Sequence, residues 1–505
     1  MSLLGIDIGT TGCKTALFSH QGEVLASTYT EYNAQSAQSG WAELDSHYIW
    51  GMTKVSIREV VSHAPEDPVE AISISSLGEA VVPVSSDRRI LGPSILNFDQ
   101  RGEEFLPELQ EKLEDEYLYQ INGNTLGNHY SLTKLLWIKE HQPDLYNQAY
   151  KFLHWSGLVS FMLGADPVID YSLANRTLLF NINQGNWSDE LLNLTGLDRE
   201  KLPAAVPSGI VTGEVSPQIA AELGLRPKTL IVSGAHDQCA NAVGCGVINA
   251  GEAVFGMGTY ICITPVFIER RSPDIMVGKG LNTEHHAVPG RYVCFLYNQG
   301  GSIVKWFRDT YAATEHQQAL AKGEDIYPTL FSEIPLGPSN IIVLPHFTST
   351  GPPNFISDSC GVMAGMRLET SRGDILKGII EGITYYLKEG IDSLPSTGIQ
   401  ITHYRAAGGG SQSDKWVQTC ADIMGTPITR PEITEAGALG AAIIAGVGCG
   451  IFTSHEEGVD AMVKMEHTFE PDPKKHELYN CQYEKYHRLW PLMQDYLFDL
   501  TAEKI

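Results

Sequence analysis

The residues with the clearest potential for chemistry lie in a glycine- and threonine-rich loop near the start of the chain. An apolar strand, Leu3–Gly9, carries Asp7 and leads into small and hydroxyl-bearing side chains. Such a loop lets backbone N–H groups approach a bulky anion, and Thr10, Thr11 and Lys14 can then bind phosphate. Asp7 lies beside the same anion, which requires a divalent cation between them. The loop predicts a phosphate and cation site, with an ordinary hairpin turn as the alternative.

A similar loop recurs near the middle of the chain. The segment Ala253–Thr264 reads as a strand, a Gly-x-Gly-Thr turn and a second strand, and Arg291–Asn298 reads as a third. Strand–turn–strand–strand thus opens each half, with a Gly-Thr step at the first turn both times. The recurrence predicts two similarly folded domains, 1–247 and 248–505, whose phosphate loops face each other across a cleft. Two independent β-hairpins are the alternative.

A second carboxylate stands where α/β proteins hold catalytic groups. The apolar strand Leu230–Ser233 is followed by Gly234-Ala235-His236-Asp237-Gln238 and then by a helix of small residues, Ala240–Gly246. A charged group at the carboxyl end of a buried strand can reach a ligand, and a carboxylate is favoured at a helix N-terminus. We interpret Asp237 as a candidate acid or base, and a helix N-cap without another role is the alternative. His236 reads as a packed or hydrogen-bonded side chain rather than as the base.

Three further segments have residue types that suit ligand binding. The strand Ala71–Ser75 runs on into Leu77-Gly78-Glu79, which presents a carboxylate at a strand end or in a solvated turn. Asp99 and Arg101 face one side of an extended segment, and a surface ion pair is the alternative. Gly408-Gly409-Gly410 separates a strand from a helix, so a flat ligand such as a nucleoside can lie on bare backbone, although flexible turns have the same composition.

Composition narrows the class of protein. The 505 residues suffice for two large domains, and strands alternate with helical stretches in an α/β pattern. A net charge of −25 argues against non-specific binding to nucleic acids or anionic membranes. Nine scattered cysteines without a Cys-x-x-Cys pair indicate free thiols in a reducing cytoplasm. The longest uncharged run, Ala438–Phe452, is too short to span a bilayer and reads as a close-packed helix, and no secretory signal is visible.

Several separate motifs together resemble the FGGY family of carbohydrate kinases, relatives of glycerol kinase and xylulokinase, from Gly5 to about Phe452. Asp7-Ile8-Gly9-Thr10-Thr11 resembles the family's first phosphate loop, and Lys134–His141 its N-terminal signature. Gly361–Met366, followed by Asp374 and Glu381, resembles the C-terminal signature. The resemblance, which is nearest to xylulokinase, implies an α/β fold of two actin/hexokinase-like (ribonuclease H-like) domains with a central cleft.

The resemblance also implies roles for individual residues. Asp237 matches the family's catalytic base, and Asp7 the carboxylate that orients Mg²⁺ through water. The acceptor sugar is held at positions that here carry Leu77, Gly78, Glu79, Asp99, Arg101 and Gln238. The nucleotide is bound at positions that here carry Thr10, Thr11, Lys14, Gly258, Thr259, Gly301, Lys305, Gly409, Gly410 and Asp414.

At the sugar positions the sequence departs from both well-known subgroups. Xylulokinases have Met-His-Gly where this chain has Leu77-Gly78-Glu79, and glycerol kinases have Arg-Glu at the last two of these positions. Asn97 also replaces the tryptophan that usually precedes the Asp-x-Arg pair. The segment Gln238–Gly246 is nearer to xylulokinases. These departures leave the substrate open, although the kinase resemblance is little affected.

The expected activity is ATP- and Mg²⁺-dependent phosphorylation of a small sugar, first of all a pentulose such as xylulose. Another polyol, a hexulose or an aldonate is the alternative acceptor. The rivals from other classes are an ATPase or phosphatase and an actin-like, ATP-binding sensor. Neither rival needs Asp237-Gln238 at a strand end in the first domain. We expect a cytoplasmic homodimer that binds neither nucleic acid nor membrane.

Overall fold

The first half of the chain alternates strands and helices, as its sequence predicts. The computed structural model of the protein describes residues 1–433 and 435–502. The strands of this half are β1 (Ser2–Ile8), β2 (Gly12–Phe18), β3 (Val24–Glu31), β4 (Glu43–Leu44), β5 (Val69–Ser76), β6 (Val81–Val84), β7 (Ser94–Ile95), β8 (Lys151–His154), β9 (Val168–Asp170), β10 (Phe180–Asn181), β11 (Asn186–Trp187), β12 (Ala204–Val206), β13 (Val211–Glu214) and β14 (Leu230–His236). Its helices are α1 (Ser46–His63), α2 (Leu106–Lys112), α3 (Asp115–Asn122), α4 (Ser131–His141), α5 (Pro143–Gln148), α6 (Trp155–Leu163), α7 (Tyr171–Asn175), α8 (Asp189–Thr195), α9 (Pro217–Leu223) and α10 (Asp237–Gly244).

Six of these strands form one mixed sheet in the order β13-β14-β5-β1-β2-β3. The neighbours β14, β5 and β1 run parallel, whereas β2 is antiparallel to β1. Because the carboxyl ends of parallel strands meet at one edge of a sheet, the residues that follow β5 and β14 lie close to the end of β1. The sheet therefore positions Glu79 and Asp237 near Asp7.

The second half of the chain repeats the alternation of strands and helices. Its strands are β15 (Glu252–Met257), β16 (Tyr260–Phe267), β17 (Glu284–His285), β18 (Tyr292–Val293), β19 (Leu296–Gln299), β20 (Ile342–Leu344), β21 (Val362–Ala364), β22 (His403–Ala407), β23 (Ile428–Pro431) and β24 (Met465–Phe469). Its helices are α11 (Pro273–Val277), α12 (Gly301–Tyr311), α13 (Ala313–Lys322), α14 (Tyr327–Ser332), α15 (Arg372–Ser393), α16 (Asp414–Met424), α17 (Ala436–Gly448), α18 (His455–Met462) and α19 (Pro473–Ala502).

A second mixed sheet has the order β17-β18-β16-β15-β22-β23-β24, with β19 also paired to β16. β15 is antiparallel to β16 and parallel to β22, so that Gly256 lies opposite Ala407. The turn after β15 and the glycine triplet after β22 are therefore neighbours. The strand–turn–strand pattern predicted for the start of each half is confirmed, and each half contributes its own sheet.

The third strand predicted for the second half is in fact two strands. The sequence predicts one strand over Arg291–Asn298, but β18 pairs with the end of β16 and β19 pairs with its beginning. Between them, the amide of Phe295 donates to Oδ1 of Asn282 at 2.9 Å. The prediction of a continuous strand is wrong because this side-chain acceptor replaces a ladder hydrogen bond.

Two helices of small residues cross where the two halves meet. α17 belongs to the second half in sequence but packs against β1 and β5 of the first sheet and against α10. A Cβ placed on Gly440 would lie 3.0 Å from the amide nitrogen of Gly244, and one on Gly244 would lie 2.9 Å from that of Gly440. The predicted close-packed helix is confirmed, because only glycines allow the two backbones to touch. The domain boundary after residue 247 stays a prediction.

The cysteines are free thiols, as their scattered positions predict. All nine cysteines are free, and five of them are buried. Most of these thiols lie in the apolar core, as their sequence neighbours indicate.

Across residues 1–433 and 435–502, no helix combines the length and the hydrophobicity that a bilayer crossing requires.

Candidate active site

Three carboxylates converge at the carboxyl edge of the first sheet. Asp7 lies on β1, Glu79 follows β5, and Asp237 is the first residue of α10, directly after β14. The hydroxyl of Ser75 donates to Oδ1 of Asp7 at 2.5 Å. Glu79 has a φ of 61°, a left-handed conformation that is rare for a residue with a side chain and is typical of functional sites. The edge is thus a compact acidic site that opens to solvent at Asp237, whose side chain is 29% exposed.

The environment of Asp237 strongly favours its protonated form. Burial first, and then the charges of Asp7 and Glu79, raise the pKa of this carboxyl to about 8, and the guanidinium of Arg176 opposes the rise. Nε2 of His236 lies 3.2 Å from Oδ1 of Asp237. A carboxyl with a pKa near neutrality can accept a proton from a substrate and release it again.

The pKa of Asp237 predicts how Asp237→Asn changes stability. An unfolded aspartate ionises near its ordinary pKa of 3.8, whereas the folded one stays protonated up to about 8. Between these values the unfolded state loses its proton first, so the wild type is progressively destabilised as the pH rises. We expect the ligand-free asparagine variant to be more stable than the wild type by about 5 kcal/mol at pH 8, with a difference below about 1 kcal/mol at pH 4. Thermal unfolding of both proteins at the two pH values measures this, and a difference that does not grow with pH would contradict it.

Arg176 is a central residue of the site that the sequence does not reveal. Its Nε donates to Oε1 of Glu79 at 2.6 Å, its Nη2 contacts the same oxygen, and its Nη1 contacts Oε1 of Glu284. Glu284 comes from β17 in the second half, so this cluster bridges the two halves. Arg176 follows α7 without any motif around it, and only its folded position identifies it.

The predicted sugar-binding residues fall into two groups. Leu77, Gly78, Glu79 and Gln238 lie at the carboxyl edge beside Asp237. A Cβ on Gly78 would lie 3.1 Å from Cγ of Arg176, so glycine leaves the space that the arginine fills.

Asp99 and Arg101 form the second group, a buried ion pair. Nε and Nη2 of Arg101 donate to Asp99 at 2.9 and 2.6 Å, and the amide of Ala42 donates to the same carboxylate at 2.5 Å. The guanidinium also lies over the ring of Trp41, 3.9 Å from its centroid. The surface ion pair considered as the alternative is therefore buried, and both carboxylate oxygens are already occupied by protein donors. A sugar contact by this pair stays a prediction.

The loop between β1 and β2, the first predicted phosphate loop, is fixed by hydrogen bonds within the protein. The amide of Gly9 donates to the carbonyl of Gly12 at 2.8 Å. The hydroxyl of Tyr32 lies within donating distance of two carbonyl oxygens, at 2.7 Å from that of Gly9 and 3.0 Å from that of Gly12. Thr11 is exposed and Thr10 is partly exposed. Nζ of Lys14 donates to Oε1 of Glu435 at 2.9 Å, so the predicted phosphate lysine has a carboxylate partner in the ligand-free protein.

The second loop and the glycine triplet form one surface. The amide of Gly301 donates to the carbonyl of Gly258 at 3.0 Å, and that of Gly300 donates to Thr259 at 3.0 Å. Within the described chain, no atom comes within 4 Å of a Cβ built on Gly409. Exposed glycine backbone is what a flat or anionic ligand needs.

Lys305 and Asp414 are the two charged side chains among the nucleotide contacts predicted for the second half. Lys305 is exposed on α12. Oδ1 of Asp414 accepts from Nη1 of Arg430 at 2.8 Å, an ion pair that the sequence does not indicate. Their nucleotide contacts stay predictions.

Asp7 suits a magnesium ion that is bound mainly by substrate. Within residues 1–433 and 435–502, no three His, Cys, Asp or Glu side chains are grouped as a metal site. Mg²⁺ commonly takes one or two carboxylates and completes its shell with waters and substrate phosphates. Burial and the neighbouring charge of Glu435 raise the pKa of Asp7 to about 6, which indicates a carboxylate without a cationic partner. The donor set therefore fits such an ion.

Comparison with known proteins gives a consistent result over the whole chain. Residues 2–244 match the N-terminal domain model of the FGGY family of carbohydrate kinases, and residues 266–449 match its C-terminal domain model. Xylulose kinase of Bacillus subtilis is 28% identical over 495 residues, which are 98% of this chain and 97% of that protein. Gluconokinase of the same organism is 27% identical over 463 residues, 90% of this chain and 89% of that protein. The crystal structure of xylulose kinase from Rhodospirillum rubrum superposes with a TM-score of 0.87 at 24% identity and covers 98% of this chain and all of its own.

Proposed function

Since the chain belongs to the FGGY family of carbohydrate kinases, we propose that it transfers the γ-phosphoryl group of ATP to a hydroxyl of a pentulose such as xylulose. The observation that carries the proposal is Asp237, a carboxyl with a pKa of about 8 that reaches solvent at the edge shared by β1, β5 and β14. An aldonate is the second candidate acceptor, because a gluconokinase is nearly as similar as the xylulose kinase.

In the proposed reaction Asp237 accepts the proton of the attacking hydroxyl as the phosphoryl group moves. Phosphoryl transfer proceeds through a loose transition state, so correct positioning and charge neutralisation make the largest contributions. Glu79 and Gln238 would hold the other hydroxyls of the sugar. Glu79 is fixed for this purpose by the two contacts from Arg176.

The phosphate chain would be bound by the two glycine-threonine loops. Lys14 pairs with Glu435, and we propose that it exchanges this partner for a phosphate when the nucleotide binds. A Mg²⁺ ion held by Asp7 through water would neutralise phosphate charge. The glycine surface formed by Gly258, Gly409 and Gly410 would support the rest of the nucleotide.

A coupled assay of ADP release tests the proposal. Pentuloses, hexuloses, polyols and aldonates are supplied one at a time with ATP and Mg²⁺, and the sugar phosphate is identified by mass spectrometry. We expect release that depends on the sugar and is fastest with a pentulose. ADP release without sugar would instead indicate an ATPase, and tight ATP binding without any transfer would indicate a sensor. Release with an aldonate alone would select the second candidate.

A further inference from the structure

A single guanidinium lies between two glutamates next to the proposed base. Arg176 contacts Glu79 through Nε and Nη2 and contacts Glu284 through Nη1. The Glu79 and Glu284 side chains are 5% and 0% exposed, and that of Arg176 is 12% exposed. Nδ2 of Asn282 donates to Glu284 at 2.8 Å and fixes this carboxylate in place. These contacts therefore hold the three side chains in fixed positions within the site.

The cluster adjoins Asp237 through one histidine. Nε2 of His236 lies 3.2 Å from Oδ1 of Asp237, and its Nδ1 lies 3.8 Å from Oε2 of Glu284. The Cβ position of Gly78 lies 3.3 Å both from Nε2 of this histidine and from Nε of Arg176. A sugar whose hydroxyl reaches Asp237 must therefore lie beside the arginine and its two glutamates.

The two glutamates compensate the positive charge of Arg176, so the cluster offers no net positive charge to a substrate. Within the described chain, Oε2 of Glu284 is buried without a hydrogen-bond partner, and Arg176 and Asn282 both contact the other oxygen, Oε1. Burial raises the pKa of both Glu79 and Glu284, and the guanidinium of Arg176 opposes the rise in each. With one glutamate ionised the guanidinium is neutralised, and with both ionised the cluster is negative. Asp7 adds a further acidic group nearby. A carboxylate that enters such a site loses its hydration without gaining an ion pair.

We infer that Glu79 and Glu284, by occupying Arg176, form a charge filter that admits uncharged polyhydroxy acceptors and rejects sugar acids. The inference rests on the proposed kinase function and narrows its acceptor class, because it argues against the aldonate alternative. Each remaining N–H of the guanidinium can still donate to a neutral hydroxyl. Specificity of this kind comes from a repulsive element rather than from an extra attraction.

The binding test compares two compounds that differ only at one terminal carbon. Binding of xylitol and D-xylonate to the wild type is measured by calorimetry, and kcat/KM is measured for D-xylulose and D-xylonate. We expect xylonate to bind at least about 100-fold more weakly than xylitol. Because the charges of the cluster are buried and only weakly screened by ions, we expect the gap to persist when the salt concentration rises.

Variants of Glu284 identify the source of the discrimination. Glu284→Gln removes one carboxylate and should raise the xylonate-to-xylulose ratio of kcat/KM at least about 10-fold, whereas Glu284→Asp keeps the charge and should preserve the wild-type ratio. Thermal unfolding shows whether each variant is folded. If Glu284→Gln does not fold, the comparison of xylitol with xylonate on the wild type decides.

Two results would overturn the inference. One is equal binding of xylonate and xylitol to the wild type, and the other is a xylonate-to-xylulose ratio of kcat/KM that the folded Glu284→Gln variant leaves unchanged. Failure of the kinase proposal looks different, because then no sugar would release ADP at all. In that case the binding comparison of xylitol with xylonate still tests the filter.

Discussion

Asp237→Asn is expected to lower kcat by about 10²- to 10⁴-fold, because the asparagine amide cannot accept the proton of the attacking hydroxyl. The affinity for sugar should change little, since asparagine keeps the size of the side chain and most of its hydrogen-bonding capacity. The variant should also be at least as stable as the wild type, because a carboxyl whose pKa burial raises to about 8 is replaced by a neutral group. Steady-state kinetics with the best sugar of the panel, together with calorimetric sugar binding, measures both effects.

Asp170→Asn is the matched control for this experiment. Asp170 is also a buried carboxyl at a junction of strand and helix, and burial raises its pKa to about 6. Its side chain caps α7 by accepting from the amide of Leu173 at 3.2 Å, and asparagine caps helices equally well. We expect kcat of this variant to stay within about threefold of the wild type. Near-normal turnover of Asp237→Asn would remove Asp237 from the role of base.

Gly440→Ala is expected to destabilise the protein by about 3 kcal/mol or more, through the contact between α10 and α17. The added methyl group would lie 2.7 Å from the carbonyl carbon of Ala240 and 3.0 Å from the amide nitrogen of Gly244. Backbone atoms cannot rotate away as a flexible side chain does, so the two helices must separate. Because α17 also packs against β1, which carries Asp7, activity should fall together with stability.

Gly51→Ala provides the matched control for this substitution. Gly51 lies inside α1, and apart from its chain neighbours and the backbone of its own helix, nothing in the described part of the chain is within 4 Å of its Cβ position. Alanine has the higher helix propensity, so this variant should gain about 0.5–1 kcal/mol. Chemical denaturation of both variants tests the pair. Similar stability of Gly440→Ala and the wild type would show that the helices separate at little cost.

Local patterns in the sequence are sufficient for the fold class and for part of the site. The alternation of strands and helices predicts an α/β fold, and the Gly-Thr turns after β1 and β15 mark both glycine-threonine loops. Asp237 is found from local sequence because it follows a short apolar strand and precedes a helix of small residues. These features depend on neighbours within about ten residues, so they are visible without the fold.

The partners of the charged groups were decided by the tertiary structure. Arg176 meets Glu79 and Glu284 from positions 97 and 108 residues away, and Lys14 meets Glu435 from 421 residues away. No local pattern encodes such pairs, because they depend on which strands become neighbours and on how the two halves pack. Burial, which raises the pKa of Asp237, is likewise a property of the assembled chain. The sequence alone thus indicated Asp7, Asp237 and the two glycine-threonine loops, whereas the packing of distant segments brought in Arg176 and decided the partners and charge states of the acidic groups.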